Sequence, residues 1–583
     1  GEKTPGAASQ IMLNGKLTNN PEEVANGCME ELAKKVENLT NSIPRARKSA
    51  LEYTREYVAS KNFCTFDPPV CNLTRGVGYK EVKAAIKGLK YTDAASHDQL
   101  STRFVKMLRK PLLHVLTMIC NRSLQQRKYP DVWKLARVCL LCKDVKEKTN
   151  PLKYRPVSVL PGPSKVLEKV VVDRLVSFME ETQYFPDEQH GYRTNRSCQT
   201  AVLTLQDEIL RDLEEGIDSA VVFCDLSAAF DTLDHKDILA KMEIYGFTDS
   251  SVEWYSSYLS NRAQYCVVGG CKSRRIKLIK GCPQGSLSGP QIFSLLFGDI
   301  VQVTEGVFMI IYADDLTLKF RLIGNVPIDE ILIKNQMEAV QEWMNANRLV
   351  FNSSKTELLV ISNKRHSLYK ELKLHMNGVV VKQKMAVRML GLYLTHNMRM
   401  DYFIHQMKNN LVSFLNHRLI VLHKLRRKCG DKQFKLLATG LMTSKIVFGI
   451  SYYGQTTEVL RDKIRMLMNK MVRLSTRTSL TERKRTKDLY KSLEFLTWDS
   501  IFATQDLNLL WKMISFGTPK HLANRLTDER NDRMRGMKTR SMANPFRIQL
   551  TRENQGVYKL RSEAFLARAL RRADKLDTLC SRV

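Results

Sequence analysis

Apolar residues form several short continuous runs in the middle of the chain. The runs at 307–311 and 316–320 flank the tetrapeptide Tyr-Ala-Asp-Asp at 312–315. Two short apolar runs around a tight turn predict a β-hairpin. A third run, 220–224, predicts another strand and is followed directly by Asp225. The pattern therefore predicts that acidic side chains gather where strands end.

Helical spacing of apolar residues appears in longer segments on both sides of these strands. Asn20 before Pro21 and two glutamates is typical of a helix start. The segment 291–297 follows a Gly- and Pro-rich loop at 280–290 and predicts a buried helix. The other helices are predicted at 101–127, 328–347, 411–428 and 434–453, and a further strand at 137–142. Strands and helices in this mixture predict an α+β fold.

The carboxylates Asp225, Asp314 and Asp315 form a candidate metal site. Successive side chains on a strand point to opposite faces, so a turn is needed to bring neighbouring carboxylates to one site. Carboxylate oxygens are the ligands that Mg²⁺ requires, and two such ions support in-line displacement at a phosphate. The alternative is that Asp314 and Asp315 are ordinary turn residues, since Asp is common in turns.

Composition indicates a multidomain protein that binds polyanions. The chain has 583 residues, enough for several cores, and a formal net charge of +32. Residues 401–583 contain 37 Lys and Arg against 16 Asp and Glu, a net +21. Basic clusters at 424–428, 483–487 and 533–540 are rich in Arg, whose planar guanidinium suits phosphates. A solvated basic surface is the alternative.

Cysteine usage and hydropathy exclude other classes of protein. Thirteen cysteines without a disulfide framework indicate a reducing compartment. Cys139 and Cys142 have a zinc-like spacing, but they lie in an apolar run without a second Cys/His pair, which disfavours zinc. No stretch approaches about 18 consecutive apolar residues, so we expect no membrane partner.

An ordered series of motifs resembles one family. Asp225, the Pro-Gln-Gly loop at 283–285 and Tyr-Ala-Asp-Asp at 312–315 occur in the order and spacing of reverse transcriptases, and specifically of those from non-LTR (LINE-type) retrotransposons. The resemblance extends from about residue 14 into the C-terminal region. Further matching segments lie at 133–143, 154–158, 165–169, 189–197, 223–235, 351–356 and 390–394. Two segments depart from the family pattern: 96–100 lacks Gly-x-Asp, and Gly298-Asp299 stands where Asn-Asp is commoner.

The resemblance implies a right-hand polymerase with a basic, mainly helical C-terminal region. The expected divisions are an N-terminal extension (1–65), fingers (66–220), a palm with the catalytic site (221–397), a helical thumb (398–470) and a nucleic-acid-binding region (471–583).

The resemblance also assigns the catalytic roles. Asp225, Asp314 and the backbone carbonyl of Leu226 would hold two Mg²⁺ ions, for which Mn²⁺ can substitute, and Asp315 would support the primer-side ion. Lys355 resembles the lysine that protonates the pyrophosphate leaving group.

Five further residues are expected to bind the incoming nucleotide. Lys143 and Arg155 would grip the triphosphate, and Gln284 and Gly285 would line the pocket. Phe230 occupies the position where an aromatic ring clashes with a ribose 2′-hydroxyl and so selects dNTPs, although a core phenylalanine is the alternative.

Another group is expected at the template and primer. By resemblance, Tyr192 would stack on a base, the two arginines would contact template phosphates, and the Leu-Gly pair would belong to a primer-grip strand. The group consists of Tyr192, Arg193, Arg196, Tyr312, Leu390 and Gly391.

The predicted function is RNA-directed DNA polymerisation onto a primer 3′-hydroxyl, used in target-primed reverse transcription. Its partners would be an RNA template, a DNA primer or target, and dNTPs. Because the chain opens with Gly1 rather than Met, we expect it to be a segment of a longer polyprotein, and the resemblance implies an endonuclease elsewhere in that polyprotein. The expected location is nuclear and cytoplasmic. The alternatives are an RNA polymerase, a group II intron-like enzyme, or a domesticated protein that mainly binds RNA.

Overall fold

The computed structural model describes most of the chain up to residue 524. The described residues are 10–61, 69–362, 369, 372–376, 378–399, 402, 404, 410–454, 456–476 and 485–524. Helices and strands are mixed throughout, which confirms the predicted α+β class. The basic cluster 533–540, and Arg483 and Lys484 of the cluster 483–487, lie outside the described residues. Among the described helices, none is long and apolar enough to cross a membrane.

The strands are β1 (Ile11–Leu13), β2 (Lys16–Thr18), β3 (Leu135–Cys142), β4 (Tyr154–Val159), β5 (Asp218–Cys224), β6 (Arg262–Val268), β7 (Cys271–Lys272), β8 (Ile276–Leu278), β9 (Phe308–Tyr312), β10 (Asp315–Leu322), β11 (Glu357–Ile361), β12 (Leu374–Met376), β13 (Val379–Gln383), β14 (Ala386–Met389) and β15 (Leu392–Thr395).

The helices are α1 (Pro21–Asn41), α2 (Ala50–Ala59), α3 (Tyr79–Gly88), α4 (Thr102–Lys106), α5 (Lys110–Gln125), α6 (Gly162–Glu181), α7 (Cys198–Glu214), α8 (His235–Ile244), α9 (Asp249–Leu259), α10 (Ser288–Phe297), α11 (Val326–Ala346), α12 (Leu411–Arg426), α13 (Asp431–Ala438), α14 (Ser444–Val447), α15 (Ile450–Tyr453), α16 (Glu458–Thr476), α17 (Thr486–Ser492) and α18 (Trp498–Phe516).

The larger sheet has six strands in the order β12-β13-β11-β5-β10-β9. Strand β5 lies at its centre and pairs antiparallel with both β10 and β11. Its residues are almost all buried, because helices and strands cover both faces, and this explains its continuous apolar run. β9 and β10 form the predicted hairpin.

The second sheet has the order β4-β3-β6-β7, with β8 also paired to β6. The N-terminal helix α1 packs against this sheet and contributes Val24 and Cys28 to a small core shared with Val138 and Cys266. Asn20 caps α1 by accepting a hydrogen bond from the Glu22 amide at 3.0 Å, as its sequence predicts. Residues 21–41, which form α1, therefore belong to the same folded body as β3 and β6.

Two predicted helices are interrupted. The segment 101–127 forms α4 and α5, because Pro111 would clash with the carbonyl four residues earlier if one helix ran through. The segment 434–453 forms α13, a π-helical turn (Thr439–Thr443), α14 and α15. Between the last two, Gly449 adopts a φ of +74°, which ends a right-handed helix. The helices at 328–347 and 411–428 are confirmed by α11 and α12.

A buried ion pair connects four parts of the chain. The Asp299 carboxylate accepts hydrogen bonds from Lys241 Nζ at 2.8 Å, from Thr54 Oγ1 and from Trp343 Nε1 at 3.0 Å. Lys241 and Asp299 are both fully buried, and Lys241 Nζ also donates to the Leu296 carbonyl at 2.9 Å. Asp299, which follows the Gly298 that departs from the family pattern, thus joins α2, α8, α11 and the end of α10.

We predict that Asp299→Ala lowers the free energy of unfolding by about 3–5 kcal/mol, because it leaves a buried ammonium group unpaired. Urea denaturation followed by tryptophan fluorescence measures the change, and Trp343 itself reports on the site. Lys34→Ala, which breaks the exposed pair with Glu31, is the control and should give little change. Equal stability of the two variants would contradict the role of Asp299.

Candidate active site

The strand register brings the three acidic residues to one end of the larger sheet. Leu316 of β10 lies opposite Cys224, so Asp315 and Asp225 are the next residues beyond the pair. Asp315 also pairs with Tyr312, which closes the hairpin through Ala313 and Asp314. Ala313 has a φ of +59°, a conformation that occurs mainly in tight turns. The turn therefore places both acidic residues of the hairpin beside the end of β5.

The three carboxylates repel one another. Burial raises the pKa of Asp314, and the neighbouring Asp225 raises it further, while Arg155 opposes the shift. Burial raises the pKa of Asp315 to about 6, with added repulsion from Asp314 and Asp225. A cation between these groups would remove the repulsion.

The oxygen donors suit a hard divalent cation such as Mg²⁺. Leu226 and Phe351 form an isolated antiparallel pair. The hydrogen bonds beside this pair run from Asn352 N to the Asp225 carbonyl and from Ser227 N to the Val350 carbonyl. In that type of pair the Leu226 carbonyl points away from its partner strand. No three His, Cys, Asp or Glu side chains in the described part of the chain already stand at metal-ligand spacing. A cation would therefore draw these carboxylates together and take its other ligands from elsewhere.

A lysine neutralises part of this acidic cluster. Lys355 Nζ lies 3.3 Å from Asp225 Oδ2, and the Lys355 side chain is 67% exposed. The turn that carries it is fixed by Asn352, whose carbonyl accepts from the Lys355 amide at 3.0 Å. The structure thus places an exposed ammonium group beside Asp225, one of the three carboxylates.

A short segment supports the hairpin turn from outside. Gln189 Oε1 accepts hydrogen bonds from Gly191 N at 2.8 Å and Ala313 N at 3.3 Å. A Cβ on Gly191 would lie 2.5 Å from Ala313 N, so only glycine fits beside the turn. Sequence reasoning gave Gln189 and Gly191 no role, although both lie in a segment that matches the family pattern.

Basic side chains face the carboxylates from the second sheet. Lys143 follows β3, and Arg155 in β4 is the register partner of Leu141. The pKa of Lys143 lies below its usual range because of burial and because Lys35, Arg155 and Lys355 carry like charge nearby. Lys35 comes from α1 and was missed, because nothing in the local sequence places the N-terminal helix beside β3.

The Pro-Gln-Gly loop contacts β4 and the turn between β5 and α8. Gln284 Nε2 donates to both carboxylate oxygens of Asp231 at 2.8 Å, and the Gln284 carbonyl accepts from Ser158 N at 2.6 Å. A Cβ on Gly285 would lie 2.4 Å from the Ser158 carbonyl. The close approach that requires glycine is therefore to β4, whereas the sequence prediction placed it at the nucleotide. Asp231, which holds Gln284, had been given no role.

Phe230 lies half-buried at the edge of the core. Its ring packs against Phe293 of α10, with the ring centroids 4.8 Å apart. The Phe230 carbonyl accepts from Cys282 N at 3.0 Å, which fixes the backbone that carries the ring. A partly exposed ring at this place is compatible with both packing and contact with a sugar.

The two arginines predicted at template phosphates form ion pairs within the protein. Arg193 donates to the Glu180 carboxylate and to the Pro186 carbonyl, and its side chain is almost fully buried. Arg196 is paired with Asp187, and burial lowers its pKa to about 10. Both guanidinium groups are largely buried, so a contact with template phosphates would require them to leave these internal partners, and it stays a prediction.

The other predicted template and primer residues differ in their surroundings. Tyr192 is 48% exposed, and burial together with Asp314 and Asp315 raises its pKa. Tyr312 is partly buried against a core that includes Val202 and Leu205 of α7. Leu390 and Gly391, with φ of +48° and +88°, form the turn between β14 and β15 rather than part of a strand. Their contact with a primer stays a prediction.

Comparisons with known proteins agree with this geometry. Residues 145–394 match the family model described as reverse transcriptase (RNA-dependent DNA polymerase). The RNA-directed DNA polymerase from mobile element jockey of Drosophila melanogaster is 26% identical over 411 residues, 68% of this chain and 43% of that protein. The Pol polyprotein from retrotransposable element R1 of Bradysia coprophila is 23% identical over 407 residues, 69% of this chain and 39% of that protein.

The probable RNA-directed DNA polymerase from transposon BS of Drosophila melanogaster is 28% identical over 248 residues, 41% of this chain and 27% of that protein. The chain thus spans less than half the length of these curated relatives. The matched region contains all three carboxylates, the Pro-Gln-Gly loop and Lys355. The chain carries a reverse transcriptase domain and is related to the polymerases of non-LTR retrotransposons.

Proposed function

We propose that this chain is an RNA-directed DNA polymerase that extends a primer 3′-hydroxyl on an RNA template, in the manner of target-primed reverse transcription. The observation that carries the proposal is the gathering of Asp225, Asp314 and Asp315 at the junction of β5 with the β9–β10 hairpin. The relatives are named as polymerases of mobile elements, which supports the same reaction.

The architecture supports a right-hand polymerase. In this proposal the six-stranded sheet belongs to the palm, β3 and β4 belong to the fingers, and the helices α12 to α16 form the thumb. The strands β6 to β8, which lie within the predicted palm range 221–397, pair with the finger strand β3 instead. The carboxylates lie on the palm, and Lys143 and Arg155 face them from the fingers. An incoming nucleotide would lie between the two sheets.

In this proposal the acidic groups bind metal ions and the basic groups bind the nucleotide. The carboxylates and the Leu226 carbonyl would hold two Mg²⁺ ions, which when bound lower the pKa of the primer hydroxyl and neutralise the leaving pyrophosphate. Lys143 and Arg155 would bind the triphosphate oxygens.

Lys355 would donate a proton to the pyrophosphate as it leaves. Its ammonium group is exposed and already lies 3.3 Å from Asp225, so it can reach groups bound at the carboxylates. General acid catalysis of this kind typically contributes about 10²–10⁴-fold.

The partners are proposed from charge and chemistry. An RNA template, a DNA primer or target, and dNTPs fit the net charge of +32 and the site. An endonuclease in the remainder of a longer polyprotein would supply the primer. A nuclear and cytoplasmic location is proposed from the sequence, because cysteines without a disulfide framework suit a reducing compartment.

Primer extension on an RNA template tests the function. Extension with dNTPs, and little with NTPs, is the expected result. Extension with NTPs alone would indicate an RNA polymerase. RNA binding without any extension would indicate a protein that has kept only the fold.

We predict that Asp314→Asn abolishes primer extension and leaves RNA binding nearly unchanged, because a carboxylate ligand is lost without change of shape. Single-nucleotide extension and filter binding to RNA measure the two properties. Asp93→Asn, at an exposed carboxylate that pairs with the exposed Arg103, is the matched control and should extend normally. Wild-type extension by Asp314→Asn would rule out the assigned site.

We predict that Phe230→Ala raises incorporation of rNTPs relative to dNTPs, because removal of the ring opens space for the 2′-hydroxyl. The measurement is the ratio of kcat/KM for a matched dNTP and rNTP. Phe293→Leu, which alters the packing partner and keeps the Phe230 ring, should reduce stability without changing the ratio. An unchanged ratio in Phe230→Ala would show that the ring serves only the core.

We predict that Asp231→Ala raises the KM for dNTPs about tenfold with a smaller effect on kcat, because Gln284 loses the carboxylate that holds its amide. A tenfold change corresponds to roughly 1.4 kcal/mol, within the range for a hydrogen bond to a charged group. Asp231→Asn keeps one acceptor and should give an intermediate KM. Similar KM values for all three proteins would show that Asp231 does not position Gln284.

A further inference from the structure

Helix α5 carries apolar side chains on both of its faces. Leu113, Leu116 and Cys120 are buried in the main core. The opposite face presents four apolar side chains that are between 40% and 70% exposed: Leu112, Val115, Met118 and Ile119. A helix that is apolar all round is normally buried all round. In the part of the chain that the structure describes, the outer face of α5 stays open to solvent.

Two more exposed apolar side chains precede α5 in the chain. Phe104 of α4 is 47% exposed, and Met107, the residue after α4, is 67% exposed. We call the four exposed residues on α5 the α5 patch. Exposed apolar groups of this extent on a soluble protein mark interaction sites, and methionine adapts its shape to a partner.

The segment that carries the α5 patch is rich in basic residues. The segment 99–130 contains seven Lys and Arg and no Asp or Glu. Some of these have partners elsewhere: Arg103 with Asp93, and Arg127 with Glu253. Arg109 and Lys110 stand at the start of α5 and Arg122 stands in its last turn, so basic groups flank the apolar stripe at both ends.

The start of α5 is electrostatically unfavourable as it stands. Arg109 is the N-cap residue and provides no side-chain hydrogen bond, and the first turn has no acidic residue. The amide groups at a helix start carry a partial positive charge, and cations there add repulsion. A carboxylate supplied from outside would satisfy the amides and the two basic side chains together.

We propose that the α5 patch docks an acidic amphipathic helix of a partner protein. The stripe from Leu112 to Ile119 is about 10 Å long, at 1.5 Å per residue. That length equals the length of an i, i+3, i+4, i+7 apolar face on the partner helix. Carboxylates on that helix would face Lys110 and Arg122. A second copy of this chain is disfavoured, because two surfaces of this charge repel each other.

The test uses the full chain and a synthetic helical peptide with leucines on one face and glutamates on the other. Binding is followed by fluorescence anisotropy of the labelled peptide. We expect binding that weakens with added salt, and a loss of at least about tenfold for Val115→Asp or Met118→Asp, since burial of one such side chain contributes about that factor or more.

Matched controls separate this surface from general effects. Val459→Asp, at an exposed apolar residue on α16, should bind the peptide like the wild type. Primer extension by Val115→Asp and Met118→Asp should be unchanged, which shows that the variants fold. Because extension and peptide binding are measured separately, failure of the proposed polymerase activity would not be mistaken for failure of the docking surface.

Several outcomes would overturn the proposal. A peptide with lysines in place of glutamates that binds equally well would show that charge plays no part. Binding to vesicles of phosphatidylserine and phosphatidylcholine that Met118→Asp abolishes, without peptide binding, would show a membrane surface instead. Dimers in sedimentation that Met118→Asp dissociates would show contact between copies, and binding of neither peptide nor vesicle would leave α5 an ordinary exposed helix.

Discussion

The pairing register between β5 and β10 is the constraint on which the active site depends. A shift of one residue would turn every side chain of β10 to the opposite face and separate Asp315 from Asp225. Lys319, opposite Val221, fixes this register. Its ammonium group is buried and paired with Asp212 and Glu208 of α7. In a shifted strand that charge would lie buried without a partner, at a cost of several kcal/mol.

The site combines this rigid frame with charges that oppose one another. Burial and mutual repulsion disfavour the ionised form of Asp314 and Asp315. Lys355 relieves the repulsion at Asp225 from an exposed position. The neighbouring backbone tolerates this because Gln189 and Gly191 hold the turn by hydrogen bonds and close contact. The free energy that packing supplies elsewhere thus keeps a repulsive cluster in place for a ligand of opposite charge.

Much of the fold and the acidic centre follows from local patterns. The β9–β10 hairpin, α1 with its Asn20 cap, α11 and the class were predicted, because periodicity and capping are properties of neighbouring residues. The surroundings of the basic residues were harder to predict from the sequence. Arg193 and Arg196 have the residue type that binds phosphates, but their pairing with Glu180 and Asp187, 13 and 9 residues earlier, depends on how the chain folds back on itself. Lys35 and Asp231 were missed for the same reason, since their neighbours are set by tertiary packing.

Because α1 packs on the second sheet, a gene must encode α1 and β3 as well as the carboxylates to form the complete site. The region that matches the family model starts at residue 145, after β3 and α1. A shortened copy that began there would encode every carboxylate, yet it would lack the strand that pairs with β4 and β6 and the helix that covers it. Such a copy would retain a recognisable polymerase sequence, but the strand β4 that carries Arg155 would lose its pairing partner β3. Loss of activity would then precede loss of the motifs as such copies decayed.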